Sequence, residues 1–157
     1  MNADIQPTLT QIVIYPIKSL DGKIVDSPGE RLRQRAKISP GGALGFDRRW
    51  AIVDEQSKIV NAKRTAKIQQ LRSRFDLIAS SEPAQRLLIR LYIAGDASTY
   101  TFCLTTELVE LAQWLSEFFG FPVRLIENAV TGFPDDLDLR PNACQYSYLR
   151  DDLCLVS

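Results

Sequence analysis

The 157-residue sequence contains no histidine. Its absence excludes Ser-His-Asp and Cys-His catalysis within the chain, because both mechanisms use an imidazole base. It also argues against a conventional zinc site, where histidine is a principal ligand. The three cysteines, Cys103, Cys144 and Cys154, are odd in number and widely spaced, so they form neither a CxxC pair nor a disulfide framework. We expect Cys103 and Cys154, which lie in strand-like or apolar runs, to be small core residues.

The sequence also lacks an excess of either charge, since it has 19 Lys+Arg and 19 Asp+Glu residues. No overall field therefore attracts nucleic acid or a membrane surface. No apolar run approaches the roughly 20 residues of a membrane span. The beginning of the chain, "MNADIQPTLT", has no basic segment followed by an apolar core, so it does not resemble a secretory signal. We expect a cytoplasmic protein with no nucleic-acid partner and no membrane span.

Most of the chain has the composition of short strands separated by turns. Hydrophobic residues make up 45% and charged residues 24%, as in ordinary globular proteins. The predicted strands are 9–15, 33–39, 50–54, 59–63, 74–79, 87–93 and 99–105. Within them, "WAIVDEQSKIV" predicts a hairpin whose loop is the polar "EQSK".

One amphipathic helix is predicted near 106–119, where apolar residues recur at i, i+3, i+4 and i+7. Thr106 is the predicted N-cap, and Gly120 with Pro122 ends the helix. The run "FPVRLIE" then predicts another strand. Many short strands and one good helix indicate a mainly β domain of the α+β type, with a barrel-like arrangement of strands.

The octapeptide "YPIKSLDG", residues 15–22, follows the first predicted strand. Pro16 fixes its own φ and biases Tyr15 toward extended geometry, so the chain leaves the strand in a defined direction. This presents Lys18 and Ser19 at a strand end, and an ammonium and a hydroxyl are suitable donors for an anion. Without a family resemblance, a lysine in such a turn is more often solvated, and a serine there more often satisfies the backbone of the turn.

Together with "GALGFDRRWAIVDEQSKIVNAKR" further along, this octapeptide resembles the N-terminal β-barrel domain of MOSC proteins, which are named for the C-terminal domain of molybdenum cofactor sulfurase. It looks like the opening of the branch that includes the mitochondrial amidoxime-reducing component and its bacterial counterparts. The matching elements are "YPIKS", "ALGFDRRW" and the basic pair "KR" at 63–64. Lys63 stands where the family pattern has arginine, and the stretch between the two motifs is longer and more basic than the pattern.

The resemblance implies a molybdenum–pterin oxidoreductase that reduces N-hydroxylated or S-oxidised substrates with electrons from partner proteins. It implies that Lys18, Ser19 and Arg48 bind the phosphate and pterin side of the cofactor. Some members of the wider MOSC group are associated with pyridoxal phosphate, a weaker alternative. The metal-ligating cysteine of the family belongs beyond Ser157, so we assign no catalytic residue and no metal ligand, Cys144 and Cys154 included.

The resemblance also divides the chain. Residues 1–128 are expected to form the MOSC N-terminal β-barrel-like domain. Residues 129–157 are expected to be a connection and first strand leading into a MOSC domain largely absent from this sequence, so the chain would not catalyse alone.

Other interpretations remain open at this point. The fold could serve as a non-catalytic module that binds a substrate or partner, or as an RNA-binding barrel that uses the basic runs "RLRQRAK" and "KRTAKIQQLRSR". Arg48 could pair with Asp47 and only anchor the fold, and Trp50 is expected in the core.

Overall fold

The computed structural model describes residues 10–26, 42, 44–78 and 86–128. These residues form seven strands, one α-helix and a short 3₁₀ helix, Ala66–Gln70. The strands are β1 (Ile12–Ile14), β2 (Lys23–Asp26), β3 (Trp50–Asp54), β4 (Leu71–Ile78), β5 (Arg86–Ile93), β6 (Tyr100–Cys103) and β7 (Val123–Glu127), and the helix is α1 (Leu108–Phe119).

All strand pairs within the described residues are antiparallel, and they form three small sheets. β1 pairs with β2, β3 pairs with β7, and β4, β5 and β6 follow one another in a meander. The sheets do not close into one continuous barrel within this part of the chain. The predicted class, mainly β with one amphipathic helix, is confirmed.

β3 is buried along nearly its whole length, as its almost entirely apolar sequence, "WAIVD", leads one to expect. Residues 50–53 are all buried, as expected for a strand covered on both faces. β3 continues into the predicted hairpin, in which the Asp54 amide donates to the Lys58 carbonyl (3.0 Å) and Val53 pairs with Ile59.

The Val60 amide also donates to the Ile52 carbonyl (2.9 Å), but the predicted strand at 59–63 is wrong beyond Val60. The Asn61 side-chain oxygen accepts hydrogen bonds from the Lys63 and Arg64 amides (3.0 and 3.2 Å), which turns the chain. Asparagine favours such turns because its short side chain competes for nearby backbone donors.

The three-stranded sheet follows the alternation expected of strands with one buried face. In β4, Leu71, Ser73 and Phe75 are buried, whereas Arg72 and Arg74 are exposed. The basic residues of "LRSR" therefore lie on the outer face of a strand.

The helix buries one side, formed by Leu108, Leu111, Leu115, Phe118 and Phe119. It ends as predicted at Gly120, whose φ of +84° belongs to the left-handed region that glycine adopts easily. The predicted N-cap is wrong, since Glu107 occupies this position instead of Thr106. The Glu107 carboxylate accepts a hydrogen bond from the Cys103 amide (2.6 Å), which ties the helix start to the end of β6.

Side chains of α1 join the strands in one hydrophobic core. At the other end of the helix, the Ser116 hydroxyl accepts from the Val123 amide (2.9 Å) and donates to the Ala112 carbonyl (2.8 Å), which connects α1 to β7. Fully buried members of the core include Ile17, Trp50, Ile52, Leu87, Ile89, Leu91, Leu111 and Leu115.

Several predictions concern other parts of the chain. The strand expected at 33–39, the connection at 129–157, Cys144 and Cys154 lie outside the described residues. β2 was not predicted. No described helix has the length and apolar character needed to cross a bilayer.

Candidate functional site

The octapeptide Tyr15–Gly22, here called the Lys18 loop, connects β1 to β2. Pro16 and Ile17 are buried, and the Leu20 amide donates to the Ile17 carbonyl (3.2 Å). Between them Ser19 is exposed and has a φ of +74°. The loop is therefore anchored by its apolar residues, and Ser19 at its tip is exposed.

Residues 44–48, here called the Arg48 turn, lead directly into β3. The Asp47 amide donates to the Leu44 carbonyl (2.9 Å) and closes the turn. Phe46 and Arg48 both have positive φ, at +67° and +49°. Left-handed backbone at residues other than glycine is uncommon and costs about 1 kcal/mol or more.

The loop and the turn lie side by side, joined by main-chain hydrogen bonds. The Arg48 amide donates to the Tyr15 carbonyl (2.8 Å), and the Trp50 amide donates to the Pro16 carbonyl (3.0 Å). The Lys18 amide in turn donates to the Trp50 carbonyl (2.8 Å). Lys18 and Ser19 therefore lie on one backbone segment, and Arg48, which is distant in sequence, lies on the segment beside it.

The proposed cofactor-binding residues differ in exposure. Lys18 is only 8% exposed, so it is not a solvated turn lysine. Lysine is rarely buried to this extent without interacting partners. Ser19 is exposed, and the Arg48 side chain is 33% exposed. Arg48 Nε lies 3.9 Å from an Asp47 carboxylate oxygen, a long and partly solvated ion pair that contributes little stability.

The next residue, Arg49, is engaged in packing. Its guanidinium forms an ion pair with Glu127, and its central carbon lies 5.0 Å from the centre of the Trp50 ring and 5.5 Å from that of Phe46. Phe46 in turn stacks on Trp50. Arg49 thus anchors β3 to β7, whereas the adjacent Arg48 belongs to the turn beside the Lys18 loop.

The far end of the Lys18 loop is held by β4, a contact that sequence reasoning missed. The Asp21 amide donates to the Ser73 hydroxyl (3.1 Å), and the Ser73 amide donates to the Asp21 carboxylate (2.9 Å). Arg72 also lies 3.1 Å from this carboxylate. A Cβ atom on Gly22 would lie 2.6 Å from Val13 Cγ1, so only glycine fits there without displacing a neighbour.

Cys103 is a small core residue, as predicted, and is 7% exposed. Burial raises the pKa of the Cys103 thiol, but hydrogen bonds with Thr105 and Thr106 outweigh it and hold the pKa below its usual value. The sulfur lies 3.1 Å from the Thr105 hydroxyl. These contacts explain the direction of the shift without assigning the thiol a role.

Comparison with known families identifies the domain. Residues 6–122 match the model of the family described as the MOSC N-terminal beta barrel domain. The chain belongs to this family. The match includes the Lys18 loop, the Arg48 turn and all of α1. Comparisons of this MOSC N-terminal domain with curated proteins and with solved structures give no match.

The MOSC family raises the question whether these residues suit a molybdenum–pterin cofactor. An ammonium, a hydroxyl and a guanidinium are a suitable donor set for its phosphate group. Trp50 Nε1 is a buried donor with no hydrogen-bond partner in the described part of the chain. The described residues contain no cluster of three or more His, Cys, Asp or Glu side chains suited to a metal ion. The donor set thus fits the phosphate end of such a cofactor, and no described cluster fits its metal end.

The second basic run of this MOSC domain, "KRTAKIQQLRSR", takes part in contacts within the fold. Arg72 pairs with Asp21, and the Lys67 ammonium lies 4.9 Å from the centre of the Phe118 ring. These contacts give both cations a structural explanation that needs no nucleic acid.

Proposed function

We propose that this domain is the N-terminal part of a molybdenum–pterin oxidoreductase and binds the cofactor's phosphate and pterin side through Lys18, Ser19 and Arg48. In this proposal the metal ligand comes from a C-terminal MOSC domain of the same full-length protein. The domain therefore binds and orients the cofactor but does not catalyse alone. A cytoplasmic location remains a prediction from the sequence.

The observation that carries the proposal is the set of main-chain hydrogen bonds between the Lys18 loop and the Arg48 turn. These bonds fix two cation-bearing segments relative to each other before any ligand arrives. Such preorganisation lowers the conformational entropy lost on binding. A donor set carried by unconnected surface segments would lack this advantage.

The chemistry of the three side chains also supports the proposal. Lysine provides a point charge, arginine provides a planar fork that can bind two phosphate oxygens, and serine completes the shell with a hydroxyl. Ser19 and Arg48 are both held in left-handed backbone conformations. Strained backbone of this kind clusters at binding sites, where surrounding contacts maintain it.

The position of the last described residue is consistent with a second domain beside the site. The Asn128 amide donates to the Arg49 carbonyl (2.7 Å), and Trp50 lies opposite Glu127 in the β3–β7 pair. Asn128 therefore lies next to the Arg48 turn, and the proposed C-terminal domain follows later in the same chain.

When bound, the cofactor would supply the redox chemistry that reduces an N-hydroxylated or S-oxidised substrate with electrons from partner proteins. The contribution of this domain is electrostatic and geometric. Lys18 and Arg48 neutralise the phosphate charge, and Ser19 donates to a phosphate oxygen. Pyridoxal phosphate carries the same phosphate group and is the alternative cofactor.

The proposal is tested by cofactor loading of the full-length protein that contains this chain. Molybdenum, pterin and pyridoxal phosphate are measured per polypeptide in the wild type and in a Lys18→Ala/Arg48→Ala variant. We expect loss of two charge-assisted contacts to lower molybdenum and pterin content about tenfold or more.

A matched control removes the same charges elsewhere. Lys58→Ala/Arg90→Ala changes two exposed residues outside the loop and the turn, and should load like the wild type. Equal loading of both double variants would contradict the assigned roles. A folded full-length protein that never acquires any of these cofactors would favour the non-catalytic binding module.

A further inference from the structure

The Asp47 side chain contacts both parts of the candidate site. One carboxylate oxygen accepts a hydrogen bond from the Tyr15 amide (2.8 Å), across 32 positions of sequence. The other oxygen lies 3.9 Å from Arg48 Nε. A single carboxylate therefore links the entry of the Lys18 loop to the residue proposed to bind the anion.

The bond to Tyr15 has a particular structural consequence. Pro16 has no amide hydrogen, so the Tyr15 amide is the last main-chain donor before Ile17. The Tyr15 carbonyl accepts from the Arg48 amide, while the Tyr15 amide donates to Asp47. The peptide groups on both sides of Tyr15 are thus held by consecutive residues of the Arg48 turn.

The two contacts of Asp47 differ in strength. A carboxylate that accepts from a backbone amide at 2.8 Å forms a charge-assisted hydrogen bond, about twice as strong as a neutral one. The contact with Arg48 is long and partly exposed, and such pairs contribute little. Asp47 therefore acts on the loop mainly as a hydrogen-bond acceptor, and its negative charge opposes an anion nearby.

We propose that Asp47 is a positioning residue that holds the Lys18 loop against the Arg48 turn through the Tyr15 amide, so that Lys18, Ser19 and Arg48 are preorganised for an anion. The inference rests on the proposed function, because it concerns the same anion. Asp47 itself does not bind the ligand, since two carboxylate oxygens would repel it.

Two substitutions separate the hydrogen bond from the charge. Asp47→Asn keeps an acceptor oxygen for the Tyr15 amide and removes the negative charge. Asp47→Ala removes both. If the hydrogen bond to the Tyr15 amide positions the Lys18 loop, Asp47→Ala should weaken anion binding about tenfold. Asp47→Asn should then bind the anion as well as the wild type or better. A purely electrostatic role would instead make both variants bind more tightly.

The measurement is a titration of the 157-residue chain with inorganic phosphate at constant ionic strength, followed by the NMR shifts of the Lys18 and Ser19 amides. Hydrogen exchange of the Tyr15 amide provides an independent readout. The protection of the Tyr15 amide against exchange should persist in Asp47→Asn and fall in Asp47→Ala.

The outcomes distinguish this inference from the proposed function. If the wild type shows no phosphate-dependent shifts at Lys18 and Ser19, the proposed anion site and the inference both fail. If the wild type binds and folded Asp47→Ala binds equally well, only the role of Asp47 is wrong. Should Asp47→Ala fail to fold, Asp47→Asn still decides, because weakened binding with an intact Tyr15 hydrogen bond would overturn the inference.

Discussion

The Lys18 loop with the Arg48 turn, and the β4–β6 sheet with α1, are ordered by different interactions. Apart from the buried Ile17 and Leu20, the first region is held by main-chain hydrogen bonds and carboxylate contacts, and it contains three non-glycine residues with positive φ: Ser19, Phe46 and Arg48. The second is held by alternating apolar side chains and by the buried side of α1.

This difference separates the interactions that fix where particular groups lie from those that supply most of the stability of the fold. Apolar packing is strong but not directional, so it determines how stable the fold is. Hydrogen bonds to the backbone contribute less net free energy, but they fix where particular groups lie. We therefore expect substitutions of apolar residues in the sheet and helix to change mainly the free energy of unfolding, and substitutions of polar residues in the loop and turn to change mainly anion binding.

The largest effect on stability is expected from Leu111→Ala in α1, since Leu111 is fully buried. Removing a buried leucine side chain costs about 2–5 kcal/mol through lost burial and the cavity that remains. Urea unfolding of the 157-residue chain measures this change. Val109→Ala, at a position that is 48% exposed, is the matched control and should change stability by less than about 1 kcal/mol. Similar losses in the two variants would show that the helix is not packed as described.

An intermediate effect is expected when Arg48 and Arg49 are compared. Arg49→Ala removes the ion pair with Glu127 and the contacts with Phe46 and Trp50, and should lower the free energy of unfolding by about 1–2 kcal/mol. Arg48→Ala should change stability less and phosphate binding more. Unfolding curves and phosphate titrations of both variants test this prediction. It would be wrong if the two substitutions changed stability by the same amount and phosphate binding by the same amount.

The smallest effect, with opposite signs for stability and binding, is expected from Ser19→Gly. Glycine relieves the positive φ of residue 19, which should stabilise the fold by about 0.5–1 kcal/mol. The greater conformational entropy of the unfolded chain with glycine offsets part of this gain. Loss of the hydroxyl should weaken phosphate binding. Ser19→Ala is the control, because it removes the hydroxyl and retains the strain. If Ser19→Gly binds phosphate as the wild type does, the serine hydroxyl is not a ligand contact.

Elements with a strong local pattern were predictable from the sequence. β3 was predicted with its observed bounds, and α1 to within two residues of its start, because apolar spacing alone specifies them. The cofactor site that the motifs at 15–22 and 43–50 predicted stays a prediction, although main-chain hydrogen bonds place residues 15–18 beside residues 48–50. What the motifs could not predict is which of their side chains pack within the fold.

The features that were missed depend on partners far away in sequence. The Asp21–Ser73 contact spans 52 positions, and Arg49 meets Glu127 across 78. Nothing in the local composition of "DRRW" distinguishes Arg49, which packs within the fold, from Arg48, which belongs to the turn. The N-cap was misassigned for a similar reason, because Thr106 and Glu107 both suit a helix start and only the contact with Cys103 selects between them.

The hydrogen bond between Asn128 and Arg49 has a consequence for whatever is attached next. It extends the β3–β7 pairing past Glu127 and fixes Asn128 beside the Arg48 turn. In the proposed full-length protein the C-terminal domain belongs to the same chain, so its encounter with the site is intramolecular and is not weakened by dilution. A modest contact between the two halves would then be enough to hold them together over a bound anion.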